Sequence, residues 1–171
     1  LRAASVADLN QIVGSIVAEL GRLDILVNNA GILRRAPALE FSEADWDDVM
    51  HINLKAAFFL AQAAARVMVK QGGGKIINIA SMLSFQGGIV VPSYTAAKSG
   101  VAGITRALAN EWAKHHINVN AIAPGYMATD NTTALRADAA RSAAILDRIP
   151  IGRWGTPDDL QGAVVFLASP A

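Results

Sequence analysis

The sequence predicts a doubly wound α/β fold on a parallel sheet, and three observations carry that prediction. Helix-type and strand-type hydrophobic patterns alternate along the chain. The strand-type runs are apolar on both faces, as strands covered by helices on each side must be. Aliphatic side chains dominate, with 53% of residues hydrophobic against 6% aromatic, which suits Ala-rich helices packed on such a sheet.

Residues 5–20 place Val6, Leu9, Ile12, Val13, Ile16, Val17 and Leu20 at three- and four-residue steps, the buried face of a helix that Gly21 ends. Residues 24–28 read as a short buried strand closing in the small polar turn Asn28-Asn29-Ala30-Gly31. A second helix opens at Ser42, with Asp45 where a capping box usually has Glu or Gln, and runs to about Lys70. Asn53 lies inside it, a poor helix former that signals a kink or a functional duty.

Gly72-Gly73-Gly74 breaks that helix, residues 75–81 follow as a strand, and residues 82–91 as a Gly-containing loop. Tyr94, Ala97, Val101, Ile104, Leu108 and Trp112 mark a long helix over 93–115, before a strand at 117–123 that Pro124-Gly125 terminates. Residues 134–149 are helical in pattern, and Pro157 starts a last helix reaching Ala168. Parallel sheets bind their ligands beyond the carboxyl ends of the strands, where Asn28, Ser81 and Pro124 fall.

Fifteen basic and fourteen acidic side chains nearly cancel and are interspersed, so nothing marks a surface for nucleic acid. Cysteine is absent, which removes disulfides, thiolate metal sites and thiol nucleophiles and agrees with a cytoplasmic location. The most apolar stretch, residues 56–69, is interrupted by Gln62 and Arg66 and falls short of the roughly 20 residues that cross a bilayer, so no membrane partner is expected. His51 reads as a surface or cap residue. His115 and His116 sit at a helix C-terminus without further ligands, so no metal is expected.

Tyr94 and Lys98 stand one helical turn apart on one face. A phenol that titrates near ~10 is too weak an acid to serve as a neutral-pH base unless a nearby cation stabilises its phenolate; Lys98 can supply one, while a Tyr/Lys pair at this spacing also occurs by chance on many helices and a serine at a strand end is often a turn residue. Ser81, at the end of the preceding strand, is placed to hold a substrate oxygen across from the phenol.

Asn28-Asn29-Ala30-Gly31, Asn53, Ser81, Tyr94-x-x-x-Lys98 and Pro124-Gly125 occur in the order and approximate spacing of the short-chain dehydrogenase/reductase family, which essentially the whole chain resembles. The resemblance implies that Tyr94 is the general acid/base, that Lys98 lowers its pKa and binds the nicotinamide ribose, and that Ser81 orients the carbonyl or alcohol. It makes Asn53 the helix-kink residue holding a water in a proton relay. It places Asn28, Ala30 and Gly31 beside the cofactor, and Pro124, Gly125, Met127 and Thr129 along the nicotinamide. Met82 and Gln86, in the loop after Ser81, become substrate contacts together with Ser81 and Tyr94.

The family's Gly-rich phosphate turn is absent, and Gly72-Gly73-Gly74 is no substitute because it precedes a strand rather than opening a helix. The resemblance therefore implies a Rossmann-like sheet that is incomplete: roughly 60–75 residues with three strands would precede Leu1, and a last strand would follow Ala171. Residues 1–171 are then one partial dinucleotide-binding and catalytic domain. Strands near Val27 and Val119 would carry unpaired, aggregation-prone edges, and the piece alone is expected to bind dinucleotide poorly and to be inactive.

The stretches 31–35, 81–88, 124–129 and 148–155 are similar to the sugar-acid branch of the family, the 2-dehydro-3-deoxy-D-gluconate 5-dehydrogenases, also called 2-deoxy-D-gluconate 3-dehydrogenases. That implies hydride transfer between a nicotinamide cofactor, NAD with NADP open, and a sugar acid in pectin or uronate breakdown. A sugar acid needs a cation for its carboxylate and polar groups for its hydroxyls, and Arg34, Arg35, Arg148, Arg153 and Gln86 are the candidates, against ordinary roles as solvated surface or oligomer contacts. Trp46, Trp112 and Trp154 read as packing residues, with a cap on the substrate segment as the alternative for Trp154. Helices apolar on more than one face, with the resemblance, imply a homotetramer. A 3-oxoacyl carrier-protein reductase is the alternative enzyme, though no basic docking cluster stands out, and a non-catalytic homologue is disfavoured by the intact Ser/Tyr/Lys set.

Overall fold

Ser5 begins the first helix in a computed structural model that describes residues 4–170. Its hydroxyl accepts from the Asp8 amide while the Asp8 carboxylate accepts from the Ser5 amide, so two orphan donors of α1 (Val6–Leu20) are satisfied reciprocally. Gly21, left-handed at φ 80°, donates to the Val17 carbonyl and ends the helix. Strand β1 (Ile25–Asn28) follows.

The helix expected over 42–70 is one continuous run in three parts: α2 (Glu43–Met50), a π-helical turn (His51–Lys55) and α3 (Ala56–Gln71). The wide turn is the irregularity that Asn53 signalled. Ser42 caps α2 through the Asp45 amide at 3.1 Å. The expected reciprocal half of a capping box is replaced, because the Asp45 carboxylate accepts from Arg34 Nε at 3.1 Å, a charge-assisted bond stronger than one to a neutral amide.

Glu43–Gln71 is long and apolar enough to cross a membrane by length and composition, unlike the shorter stretch weighed from sequence, and half of its most apolar window is buried in the fold. Ala61, Ala64, Ala65 and Met68 close there on Ile76 of β2 (Gly74–Ile79) and on Ile117 and Val119 of β3 (Ile117–Ile122). Alanine lets a helix approach a sheet closely, so the Ala-rich face is the core face. Helix α4 (Pro92–Trp112) starts on a proline and adds Leu108 to the same cluster.

The three strands are parallel in the order β1-β2-β3, with Val27 opposite Ile77 and Ile77 opposite Asn120. Central β2 buries Ile76 and Ile77 completely, and adjacent strand residues face opposite sides, so both faces are covered as expected. Among the described residues β1 and β3 are the outer strands, the edges foreseen near Val27 and Val119. Ile25 and Val27 are 43% and 42% exposed along β1.

The helical segment expected over 134–149 divides at Asp138 into α5 (Thr133–Ala137) and α6 (Ala139–Leu146). The Asp138 carboxylate accepts from the Arg141 amide at 2.9 Å, so it caps a new helix rather than continuing the old one. A 3-10 turn (Pro157–Leu160), capped by Thr156 and Asp159, leads into α7 (Gln161–Ala168), which packs on β2 and β3. The result is an α/β Rossmann-like fold, a parallel sheet flanked by helices.

Gly73 makes the α3-to-β2 turn possible. It sits at φ 145°, and a Cβ there would lie 2.8 Å from the His116 carbonyl oxygen. Gly73→Ala is expected to cost about 2–3 kcal/mol in the full-length protein through strain and backbone clash. Gly103→Ala, inside α4 where a Cβ meets nothing within 4 Å, is expected to gain up to about 1 kcal/mol. Denaturant unfolding of both variants reads the contrast.

Candidate active site

Ser81 leaves the end of β2 in an extended conformation, and the backbone on either side is pinned. The Ala80 amide donates to the Ile122 carbonyl at 2.8 Å and the Met82 amide to the Pro124 carbonyl at 3.0 Å. The Ser81 hydroxyl accepts from the Leu83 amide at 3.1 Å and caps the turn Met82–Ser84. The Ser84 hydroxyl then donates to the Lys98 carbonyl at 2.6 Å, tying this loop to α4. The sheet rim and the helix are thus held in one register, and Ser81, Tyr94 and Lys98 line one cavity.

Burial decides the electrostatics of the trio. It pushes the Tyr94 phenol above its ordinary value of 10, against the downward pull of a hydrogen bond with Ser81. It pushes the Lys98 ammonium, only 5% exposed, down to about 8. The Lys98 Nζ donates to the Ile79 carbonyl and stands 5.7 Å from the centre of the Tyr94 ring. The lowering of Tyr94 by Lys98 implied at the sequence level is therefore not what this arrangement produces. The Lys98 ammonium is directed at the Ile79 carbonyl at the end of β2, and burial is the larger influence on the phenol, with Ser81 pulling the other way.

A buried polar chain braces this rim from behind. Asn28 Nδ2 donates to the Ala57 carbonyl at 3.0 Å and to Asn78 Oδ1 at 2.9 Å, Asn78 Nδ2 donates to Thr105 Oγ1 at 2.9 Å, and Thr105 Oγ1 donates to the Val101 carbonyl at 2.7 Å. It crosses from α3 through β1 and β2 to α4, and every buried amide in it is partnered. Asn28 serves as a strut here, and neither it nor Ala30 lines the cavity, whereas Asn29 and Gly31 do. Asn78, fully buried, and Thr105 were missed in the sequence; a lone Asn within an apolar strand was the available signal.

Asn53 sits in the π-helical turn, 2% exposed. Its Oδ1 accepts from the Ile32 amide and its Nδ2 donates to the Ile32 carbonyl, both at 2.8 Å. This two-point latch fixes the turn after β1. It directs the Asn53 side chain to Ile32 and away from the cavity lining, so the side chain positions Gly31 rather than facing a ligand.

The cavity has a volume of about 700 Å³. It gathers Gly31, Ser81, Met82, Gln86, Tyr94, Lys98, Pro124, Gly125, Met127 and Thr129, all expected at the site. The far wall is fastened by the parallel bridge of Met127 with Gly155, with the Ala128 amide donating to the Gly155 carbonyl at 2.7 Å. Trp154 packs edge-on against Tyr126 and donates to Ser142 Oγ at 3.3 Å, consistent with its reading as a packing residue.

A nicotinamide and its ribose fit this donor set. Lys98 offers a buried ammonium, and a Cβ at Gly125 would project into open space, so bare backbone leaves room for a flat ring. Of the candidate cations, Arg34 is spent on Asp45 and Asp48 at 3.1 and 2.9 Å, and Arg153 on Asp159 at 2.8 Å. Arg35 and Arg148 line the cavity, joined by Arg141, which sequence reasoning had passed over. His51 Nε2 lies 3.1 Å from the Ala4 carbonyl, a tie between the π-helical turn and the chain ahead of α1. Among the described residues no three metal-ligating side chains converge.

Comparison with known proteins follows the same lines. The profile of a family described as short chain dehydrogenase matches residues 2–140. The 2-dehydro-3-deoxy-D-gluconate 5-dehydrogenase of Escherichia coli (strain K12) is 70% identical, with 96% of this chain and 68% of the relative covered. The enzyme of the same name from Bacillus subtilis (strain 168) is 59% identical, over 88% of this chain and 59% of the relative. A gluconate 5-dehydrogenase from Burkholderia cenocepacia J2315, crystallised in complex with NADP and tartrate, matches with a TM-score of 0.95 at 43% identity, covering 99% of this chain and 66% of that one. The chain thus spans between 59% and 68% of the length of these proteins.

Proposed function

The chain belongs to the short-chain dehydrogenase family, and from that premise we propose that the full-length protein transfers a hydride between NAD(P) and a secondary alcohol or ketone of a sugar acid. The observation that carries this reading is the single cavity at the sheet rim, where Ser81, Tyr94 and Lys98 meet a lining whose charged side chains are all cationic. The relatives' sugar-acid names support the substrate class, and the NADP bound to the Burkholderia enzyme supports the alternative dinucleotide left open beside NAD.

The dinucleotide supplies the ring carbon that gives or takes the hydride. Ser81 holds the substrate oxygen, Tyr94 Oη exchanges a proton with that oxygen, and Lys98 binds the ribose hydroxyls. Gly31, Pro124, Gly125, Met127 and Thr129 shape the nicotinamide side, and Met82 and Gln86 the substrate side. Tyr94 keeps its proton at neutral pH, so it stands ready as the acid of ketone reduction. Alcohol oxidation needs the phenolate and is favoured as pH rises. Asn53 and Asn28 act by position, through Ile32 and through the chain to Thr105.

In our reading the enzyme is a cytoplasmic homotetramer of sugar-acid breakdown without nucleic-acid or membrane partners; the relatives' names support the metabolic role, and the balanced, interspersed charges speak against a nucleic-acid surface. The test is an assay of the full-length protein with NAD and NADP against 2-deoxy-D-gluconate, D-gluconate and a 3-oxoacyl thioester. Dinucleotide turnover with the sugar acids is expected. Turnover confined to the thioester would overturn the assignment.

A further inference from the structure

Four cationic side chains line the cavity, Arg35, Lys98, Arg141 and Arg148, and no carboxylate accompanies them. Lys98 is engaged by the Ile79 carbonyl and Arg35 donates to the Asn131 carbonyl at 3.2 Å. Arg22, Arg34 and Arg153 each pair with an aspartate. Arg141 and Arg148 differ: among the described residues neither guanidinium has a hydrogen-bond or ion-pair partner, although both line the same cavity.

Their placement is built by the fold. The Arg148 amide donates to the Ile145 carbonyl at 3.1 Å, so the helical path of α6 extends to it. Seven residues along such a path is two turns, which brings Arg141 and Arg148 onto one face. Ile145 lies between them, 2% exposed, and anchors that face. Ser142, one residue on, is held by Trp154. Two like charges kept on one face without an anion repel each other, and a bound anion relieves that repulsion. A guanidinium presents parallel donors that match both oxygens of a carboxylate.

We propose that Arg141 and Arg148 are the specificity-determining pair of the substrate pocket, binding the carboxylate of a sugar acid whose reacting carbon lies at Ser81 and Tyr94. This rests on the sugar-acid reading above and assigns that selectivity to two residues of α6 and its extension. The pair acts on substrate binding and not on the chemical step.

The experiment compares a sugar acid with its neutral methyl ester in the full-length enzyme, for the wild type, Arg141→Ala, Arg148→Ala, the double variant and Arg148→Lys. Wild type is expected to prefer the acid. Each alanine variant should raise KM for the acid about tenfold or more with kcat little changed, and the double variant should bring kcat/KM for acid and ester together. Arg148→Lys should recover part of the preference. Dinucleotide affinity, read by fluorescence titration without substrate, should not move, which separates carboxylate recognition from general damage to the fold. An acid-to-ester ratio unchanged in the double variant overturns the proposal. A wild type that turns over neither acid nor ester brings down the parent reading, and this inference with it.

Discussion

Tyr94→Phe is expected to lower turnover of the full-length enzyme by about a thousandfold, within the range that a positioned acid/base supplies, while NAD(P) affinity stays unchanged. The substitution removes one oxygen from a side chain whose ring remains packed, so neither the cavity nor α4 need shift. What disappears is the phenol oxygen of a side chain that lines the cavity together with Ser81. Single-turnover hydride transfer with a dinucleotide titration reads both quantities. Because burial holds the phenol above its ordinary value, the wild-type oxidation rate should climb with pH through the alkaline range, and the reduction rate should fall across the same range. Near-normal turnover in the Phe variant would remove Tyr94 from the chemistry.

Lys98→Met is expected to separate stability from activity. Burial depresses the ammonium from the ordinary 10.5 to about 8, which corresponds to roughly 3 kcal/mol held against the fold at neutral pH. Below pH 8 both folded and unfolded chains carry the proton and the full penalty applies. Between pH 8 and 10.5 the unfolded chain binds a proton that the folded chain has released, so stability rises with pH across that window. Methionine fills similar volume without a charge, though it leaves the Ile79 carbonyl without its donor, a loss of about 1 kcal/mol.

The variant should therefore be more stable than wild type by about 2 kcal/mol at pH 7, with the advantage lost on raising the pH and turned into a deficit of up to about 1 kcal/mol by pH 10.5. Turnover should fall by about a hundredfold or more, because the ribose loses its cation. Urea unfolding of both proteins at the two pH values checks the first expectation. A wild-type protein equally stable at both would contradict it. A stable but inactive variant would show that Lys98 is kept for function at the expense of the fold.

Much of the site was legible in the chain because its residues are local to regular elements. A four-residue interval places Tyr94 beside Lys98 on any helix, and a strand that ends at a serine presents that serine at the rim. The branch of the family was legible in the short stretches around these residues. Asp45 was legible only in part: Ser42 did cap its helix, yet the carboxylate went to Arg34, which the loop after β1 brings against α2. Asn28 read as a cofactor residue and became a strut, since its partner Asn78 lies on the neighbouring strand.

By itself the sequence determined the order of helices and strands and the parallel sheet with its two-faced central strand, because periodicity is a property of the backbone geometry, and its short motifs picked out Ser81, Tyr94 and Lys98, which the fold gathers in one cavity. Only the tertiary structure decided where each polar side chain spends its hydrogen bonds and charge. It tied Arg34 and Arg153 to aspartates, latched Asn53 to Ile32, and left Arg141 and Arg148 facing the cavity. It also turned Lys98 toward Ile79 and raised Tyr94, because burial depends on what packs around a group from distant parts of the chain, and spacing along the sequence does not contain that.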